Sequence, residues 1–504
     1  MANLSKSKII AFRQCPKRLW LEVHKPELRE DSAATQAVFK VGNQVGEIAR
    51  KLYDPDGDGI TINAQRDGYP KAYAQTDEFL AKADRPIFEA GLRIKGALAF
   101  ADALIPTTRG GTTSWKMVEV KSSGSVKDYH LDDIAVQSHI ATASGVNLKK
   151  VSLACIDTSW VYPGDGDYQG LLYETDLTQE ALSRDAEAAQ WVSDAQKVVA
   201  MPSEPKIAMG DQCHAPFECG FCNYCSRELK RPEYPVNWLP SFSAKKKAQL
   251  EEQGIDDLRQ VPDRMLNKKQ RLVKEQTIAG TAYFDAAGAA ADLAPHGLPA
   301  YFLDFETIMF AVPVWKGTRP YQQIPFQFSL RLVATGGEVS HESYLDLSGG
   351  DPSLPFSEAL ISACGETGPV FVYNAAFEKS RIRELAKRFP NQAKGLSAIV
   401  DRIVDLLPVA RARYYNPSQC GSWSIKHVLP AAVPDLTYEA LPGVRDGGMA
   451  MEAFLEAIGP STEPERKAHL RRQLEAYCRL DTFALVRLWH LFSGSATTVP
   501  VDSQ

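Results

Sequence analysis

The stretch Tyr301–Thr307, YFLDFET, decides how the C-terminal half of this 504-residue chain is read. Side chains alternate along a β-strand, so Phe302, Asp304 and Glu306 share one face while Tyr301, Leu303 and Phe305 share the other. Two carboxylates side by side on an otherwise apolar strand repel each other and lose solvation, a costly arrangement unless a cation sits between them. The alternative is a strand end with solvated acids. Further along, PVFVYNAAFEKSRIRELAKRF (369–389) reads as a buried strand ending at Tyr373. Asn374 then caps a helix along which Phe377, Arg381, Leu385 and Phe389 trace one stripe. Glu378 falls in the first turn, near the strand end where ligands of open α/β sheets collect. A third segment, RRQLEAYCRLDTFALVRLWHLF (471–492), is a long helix with Tyr477 and Asp481 one turn apart on one face. Leu474, Cys478, Leu485 and Leu488 form its packing side, and a buried Asp481 would find its partner in a metal held by Asp304.

DxE on a strand, YNxxFE opening a helix and YxxxD on a late helix together resemble the DEDD exonucleases of the DnaQ-like, RNase H-fold group, in the branch that uses a tyrosine. More narrowly, PFQFSL, VYNAAFE, GSWSIKHVLP and YCRLDT resemble an uncharacterised bacterial RNase H-like domain often fused to RecB-like nucleases. The resemblance covers roughly residues 298–493. It implies two Mg²⁺ or Mn²⁺ ions about 4 Å apart, with Asp304 bridging them and Glu306, Glu378 and Asp481 completing the ligand set. Tyr477 would orient the attacking water. Glu378 stands where the family usually places Asp. Lys426 is a candidate phosphate contact, or a solvated surface lysine.

In the N-terminal half, LRIKGALAFADALIP (92–106) and WKMVEVKSSGS (115–125) read as a β-hairpin with a loop around Thr107–Thr113. Glu119 and Lys121 point the same way, and Asp102 can meet them from the partner strand. Such a group can hold one metal and a hydroxide against a phosphate; a surface salt bridge is the alternative. The cysteines add to this. Cys15 lies in FRQCPKRLWLE, and Cys213, Cys219, Cys222 and Cys225 crowd into DQCHAPFECGFCNYCSREL (211–229), a spacing that favours thiolate ligation of metal. With D…ExK between them, this half resembles the iron–sulfur PD-(D/E)XK nucleases, among them the RecB-like domains. That resemblance implies a 4Fe-4S cluster on Cys15, Cys213, Cys219 and Cys225, with Cys222 as a possible ligand, stapling the ends of the domain together. Zinc on the four local cysteines is the alternative. It also implies that Gln137, in DDIAVQSHIATAS, orients the site. Gly46 and Glu47 stand where RecB-type enzymes often use a metal-binding histidine.

Hydrophobic residues make up 44% and charged residues 24% of the chain, the mixture of a globular protein with sizeable cores. A net charge of -5 argues against coating nucleic acid by bulk positive charge but permits local basic grooves beside metal-holding acids. No run of roughly 18 apolar residues suggests a membrane span. The charged start, MANLSKSKII, lacks a signal peptide's apolar stretch, so the expected address is cytoplasmic. The fold expected is α/β in three parts: a PD-(D/E)XK restriction-endonuclease-like domain over 1–235, a helical connector over 236–297 broken at Gly254, and an RNase H-like exonuclease domain over 298–493. The tail after Gly494 reads as frayed. The expected activity is metal-dependent hydrolysis of DNA, at single strands or ends, with RNA also open. The competing expectation is a nucleic-acid-binding or scaffold protein with one or both sites silent.

Overall fold

The computed structural model describes residues 3–109, 112–227 and 232–495, and these form a mixed α/β protein divided into two compact units. Unit 1 comprises Met1–Leu229 and Phe310–Gln322, and unit 2 comprises Lys230–Met309 and Gln323–Gln504. Residues 236–297, read from sequence as a connector, belong to unit 2. Residues 310–322, which interrupt the C-terminal half, belong to unit 1.

Unit 1 is built on a seven-stranded sheet of β1 (Leu4–Ser5), β2 (Ile60–Thr61), β3 (Ile87–Ile94), β4 (Ala97–Arg109), β5 (Thr112–Lys121), β6 (Leu148–Ile156) and β7 (Leu172–Asp176). Strands β2 to β7 lie in sequence order, with β1 paired to β4. Small residues at every second position of β4, Ala97, Ala99, Ala101 and Ala103, are buried and let helices approach the sheet closely. Gly110 and Gly111, at the expected hairpin tip, lie outside the described residues; the strands run to Arg109 and from Thr112.

Four helices matter for the site: α1 (Lys6–Gln14), α2 (Pro16–His24), α3 (Ala33–Tyr53) and α4 (Asp128–Ala143). The side chain of Ser5 caps α1 by accepting from Lys8 N, which fixes Lys6 in the first turn. Helix α4 is buried along much of its length, and Ile134, Ala135, Val136, Ile140 and Ala141 are fully buried in the main core with Leu104, Met117 and Leu153. The returning segment 310–322 covers a second cluster, where Ala311 and Val312 pack with Val45, Ile48, Ile156 and Leu171.

Unit 2 carries a five-stranded sheet of β8 (Ala300–Ile308), β9 (Ile324–Val333), β10 (Val339–Leu345), β11 (Val370–Val372) and β12 (Ile403–Asp405), in the order β10-β9-β8-β11-β12. β8, β9 and β10 are antiparallel neighbours, while β11 and β12 run parallel to β8. The alternation expected of YFLDFET is present. Tyr301, Leu303 and Phe305 enter a core with Phe328, Leu330, Phe356 and Ile382, while Phe302 stacks on Phe371 and meets Trp489 edge-on from the opposite face. Trp489 belongs to the long C-terminal helix, Pro464–Ser493. A smaller cluster of Val236, Leu239, Leu250, Leu258, Val261 and Leu266 holds the first part of unit 2, with Gly254 left-handed between helical segments. The tail from 496 lies outside the described residues.

Candidate active sites

The acids of unit 2 converge as side chains, although they come from distant segments. Asp304 and Glu306 project from β8 and Asp481 from the C-terminal helix, and one carboxylate oxygen of each lies within 4.8 Å of the others. Tyr477, one turn before Asp481, is buried with it. Glu378 opens the helix Ala375–Arg388 at the end of β11 and is buried. It stands outside the 4.8 Å group, yet its charge bears on Asp304.

The electrostatics show four carboxyl groups under stress. Burial, then Asp481, Glu306 and Glu378, raise the Asp304 carboxyl well above its ordinary range. Burial with the nearby Asp481 pushes Glu306 up to about 8. Burial raises Asp481 to about 7 against the opposing pull of a Tyr438 hydrogen bond and Lys426, and burial raises Glu378 to about 8. Asp481 Oδ2 and Glu378 Oε2 are buried without a hydrogen-bond partner among the described residues. Such oxygens are what a hard divalent cation takes as ligands.

Two groups here escaped the sequence reading. Tyr438 Oη donates to Asp481 Oδ1 at 2.5 Å, and its ring lies 6.1 Å from that of Tyr477. Asp446 adds to the negative potential at Glu306. Lys426 lies 5.8 Å over the Tyr438 ring and 5.7 Å over that of Tyr477, close enough to ease the charge on Asp304, Glu306 and Asp481. The turn that presents Glu378 differs from its expected form. Asn374 occupies the cap position with φ +76° and its side chain makes no cap bond. Asp405 of β12 instead accepts from Asn374 N at 2.9 Å and Ala375 N at 3.0 Å. A left-handed non-glycine residue at a helix entrance is strained, and Asp405 holds it there.

In unit 1, Asp102, Glu119, Lys121 and Gln137 come together, and Lys6 and Asp133 join them. Asp102 Oδ2 accepts from Val120 N at 2.7 Å, fixing it beside Glu119 across the β4–β5 ladder. Lys121 Nζ lies 2.7 Å from Glu119 Oε1 and also pairs with Asp133 Oδ2. Lys6 Nζ lies 2.6 Å from that same Glu119 oxygen and 3.4 Å from Asp133 Oδ1, and it donates to Gln137 Oε1. Burial opposes charge on both lysines, but Asp133 and Glu119 outweigh it and hold both ammoniums above their ordinary range. Burial likewise works against the Asp133 carboxylate, and Lys121 and Lys6 overcome it, holding that carboxyl well below the usual values. Asp102 is the odd carboxyl, pushed up to about 7 by burial and by Glu119.

The group opens on a cleft of about 770 Å³ walled by α3, where Gly42, Gly46, Glu47 and Arg50 line it together with Asp102, Glu119 and Lys121. Among the described residues, nothing outside the helix's own backbone lies within 4 Å of where a Cβ at Gly46 would stand. Glu89 of β3 also lines the cleft, paired with Arg50 at 3.5 Å and held at φ +54° within its strand.

Cys15, Cys213, Cys219, Cys222 and Cys225 line one cavity, so the chain folds the N-terminal cysteine onto the later four. All five are free thiols. Burial and the neighbouring sulfurs raise Cys219 and Cys222, the latter to about 11, and burial raises Cys225. No helix among the described residues is long and apolar enough to cross a membrane.

Residues 301–424 match the model of a Domain of unknown function (DUF2779), a span that holds Asp304, Glu306 and Glu378 and ends before Lys426, Tyr438, Tyr477 and Asp481. The Uncharacterized protein MG366 homolog of Mycoplasma pneumoniae (strain ATCC 29342 / M129 / Subtype 1) is 27% identical over 213 residues, covering 37% of this chain. The match takes in 31% of that protein, so the chain spans about a third of the length of this curated relative.

Proposed function

We propose that the chain is a divalent-metal-dependent nuclease that hydrolyses phosphodiester bonds, with DNA as substrate at single strands or ends and RNA also open. The observation that carries this reading is the convergence of Asp304, Glu306 and Asp481 within 4.8 Å, with buried Tyr477 one turn before Asp481 and buried Glu378 near enough for its charge to bear on Asp304. Like charges so close together are stabilised by Mg²⁺ or Mn²⁺, and ions held there would activate water and stabilise a leaving oxygen. In this reading unit 2 is an RNase H-fold exonuclease domain, and Tyr477 Oη orients the water.

Unit 1 is read as a PD-(D/E)XK nuclease domain, with Asp102 and Glu119 as metal ligands, Lys121 at the attacking water and Gln137 orienting the group. The sulfur cavity supports a 4Fe-4S cluster over zinc. Cys15 lines one cavity with all four later cysteines, which favours a group that joins the N-terminal cysteine to them.

A nucleic-acid-binding protein with a silent first site is the second reading, favoured by Lys6 and Lys121 already neutralising Glu119 and Asp133. Labelled single- and double-stranded DNA and RNA, offered with Mg²⁺ or Mn²⁺ to wild type, Asp304→Asn and Lys121→Ala, distinguish the readings. Cleavage that Asp304→Asn weakens, leaving a remainder lost when Lys121→Ala is added, supports the proposal. Retention of nucleic acid on a filter without cleavage by any form overturns it in favour of binding.

A further inference from the structure

Lys6 is the feature of unit 1 that the expected metal site does not account for. Its ammonium and that of Lys121 meet on one oxygen, Glu119 Oε1, and each pairs with a different oxygen of Asp133. Two cations and two carboxylates thus close a ring. Burying a lysine head costs free energy that an exposed terminal residue would avoid by turning into water. Here that escape is blocked by the local fold. Leu4 pairs with Ala97 and Ser5 with Leu98, Ser5 caps α1, and Ile9 and Ala11 are sealed in the core behind it.

What the ring leaves open is specific. Glu119 is 3% exposed and Gln137 fully buried, yet Glu119 Oε2 and Gln137 Nε2 have no partner among the described residues. Asp102 lines the same cleft beside Glu119. Glu119 Oε2 and Asp102 therefore offer ligand oxygens for one divalent ion, while the Glu119 Oε1 and Asp133 side is already filled by positive charge. From the facing wall, Gly46 contributes no ligand atom.

We propose that Lys6 is the built-in second cation of this pit, standing where a second divalent ion would otherwise sit and holding Glu119 and Gln137 in place. The proposal rests on the nuclease reading only for its use: an anionic phosphodiester entering the cleft would meet one metal ion and the ammonium of Lys6 beside that of Lys121. Lys6 is in this sense a positioning residue that also sets the charge of the site.

The test uses the full chain in an Asp304→Asn background, so that the acids of unit 2 neither bind metal strongly nor cut. Lys6→Ala, Lys6→Gln and Lys6→Arg are titrated with Mn²⁺, the free ion being followed by its paramagnetic resonance signal, with circular dichroism as the check on folding. Removing the like charge should tighten Mn²⁺ binding at least about tenfold, or admit one additional ion, in the Ala and Gln forms. The Arg form should bind as the parent does. Cleavage of labelled single-stranded DNA should fall in the Ala form and recover in part with added ethylammonium, which a loss of packing alone would not allow. A natively folded Gln form with the parent's Mn²⁺ isotherm overturns the proposal, even if the Ala form fails to fold. A parent that cuts nothing while its Lys6 variants still bind Mn²⁺ more tightly leaves the assignment of Lys6 standing and removes the nuclease reading of this unit.

Discussion

Replacing Asp304 by asparagine should stabilise the metal-free protein while removing the response of unit 2 to metal. At an effective dielectric of about 20, two unit charges 4.8 Å apart repel by about 3.5 kcal/mol. Asp304 faces two such neighbours, and its carboxyl is raised well above its ordinary range by burial and by them. A carboxyl whose folded value is raised contributes its full stability below its unfolded value, near 3.9, and loses it as pH rises toward the folded value. The wild-type handicap therefore grows from about pH 4 upward, and asparagine does not carry it. After discounting for relaxation and water entry, the substitution should add about 2–4 kcal/mol near pH 8.5 and under about 1 kcal/mol near pH 5. For a unit of this size that is a rise of about 5–12 °C in the melting transition at the higher pH. Thermal unfolding followed by circular dichroism in a chelating buffer measures it, and added Mn²⁺ should raise the transition of unit 2 in wild type but not in the variant. An Asp304→Asn protein that melts at or below wild type at both pH values would refute the reasoning, because the acids would then not be in conflict.

Metal binding at the same acids should tighten as pH rises through about 7 to 8, since Asp481 and Glu306 must shed protons first. Calorimetric Mn²⁺ titrations in buffers of different ionisation enthalpy should report proton release, and equal heats in all buffers would count against it. Asp405→Ala frees the backbone N–H groups of Asn374 and Ala375 at a strained turn. It should cost about 1–3 kcal/mol and slow cleavage through misplacement of Glu378, read by urea unfolding and single-turnover rates. Cys15→Ser should strip iron and visible absorption from protein purified anaerobically and lower the melting temperature of unit 1, whereas retained iron would place the cluster on the other four cysteines. His130 is buried and pushed down to about 4, chiefly by burial. A depressed histidine favours unfolding only as pH falls from about 6.5 toward 4, so His130→Gln should flatten the stability loss across that window in chemical denaturation.

What was legible in the chain follows the range of the contacts. DxE on β8 was readable because strand alternation is local, and Tyr477 with Asp481 because four residues make one helical turn. Asp133 shares that legibility, lying one turn before Gln137 on the same face of α4, and the reading passed over it. Lys6 was not legible, since its partner Glu119 is 113 positions away and the first turn of an amphipathic helix is an ordinary place for a solvated lysine. Tyr438 likewise reaches Asp481 across 43 positions from a short turn without periodicity. Asn374 shows the converse error. A capping residue type in the capping place suggested a side-chain bond, but tertiary support from Asp405 let the backbone take a left-handed form instead. The joining of Cys15 to the later cysteines came from resemblance, not from anything local to FRQCPKRLWLE.

The excursion of residues 310–322 has a consequence for how the molecule is made. Chains emerge from the ribosome in order, and N-terminal domains ordinarily fold as soon as they are complete. Unit 1 is not complete at Leu229, because Ala311 and Val312 cover Val45, Ile48, Ile156 and Leu171. All of Lys230–Met309, including the strand that bears Asp304 and Glu306, must be synthesised before that apolar patch can close. Of the two units, the earlier thus waits on the opening strand of the later, and a nascent chain arrested before Phe310 should be markedly more sensitive to protease than one arrested after Gln322.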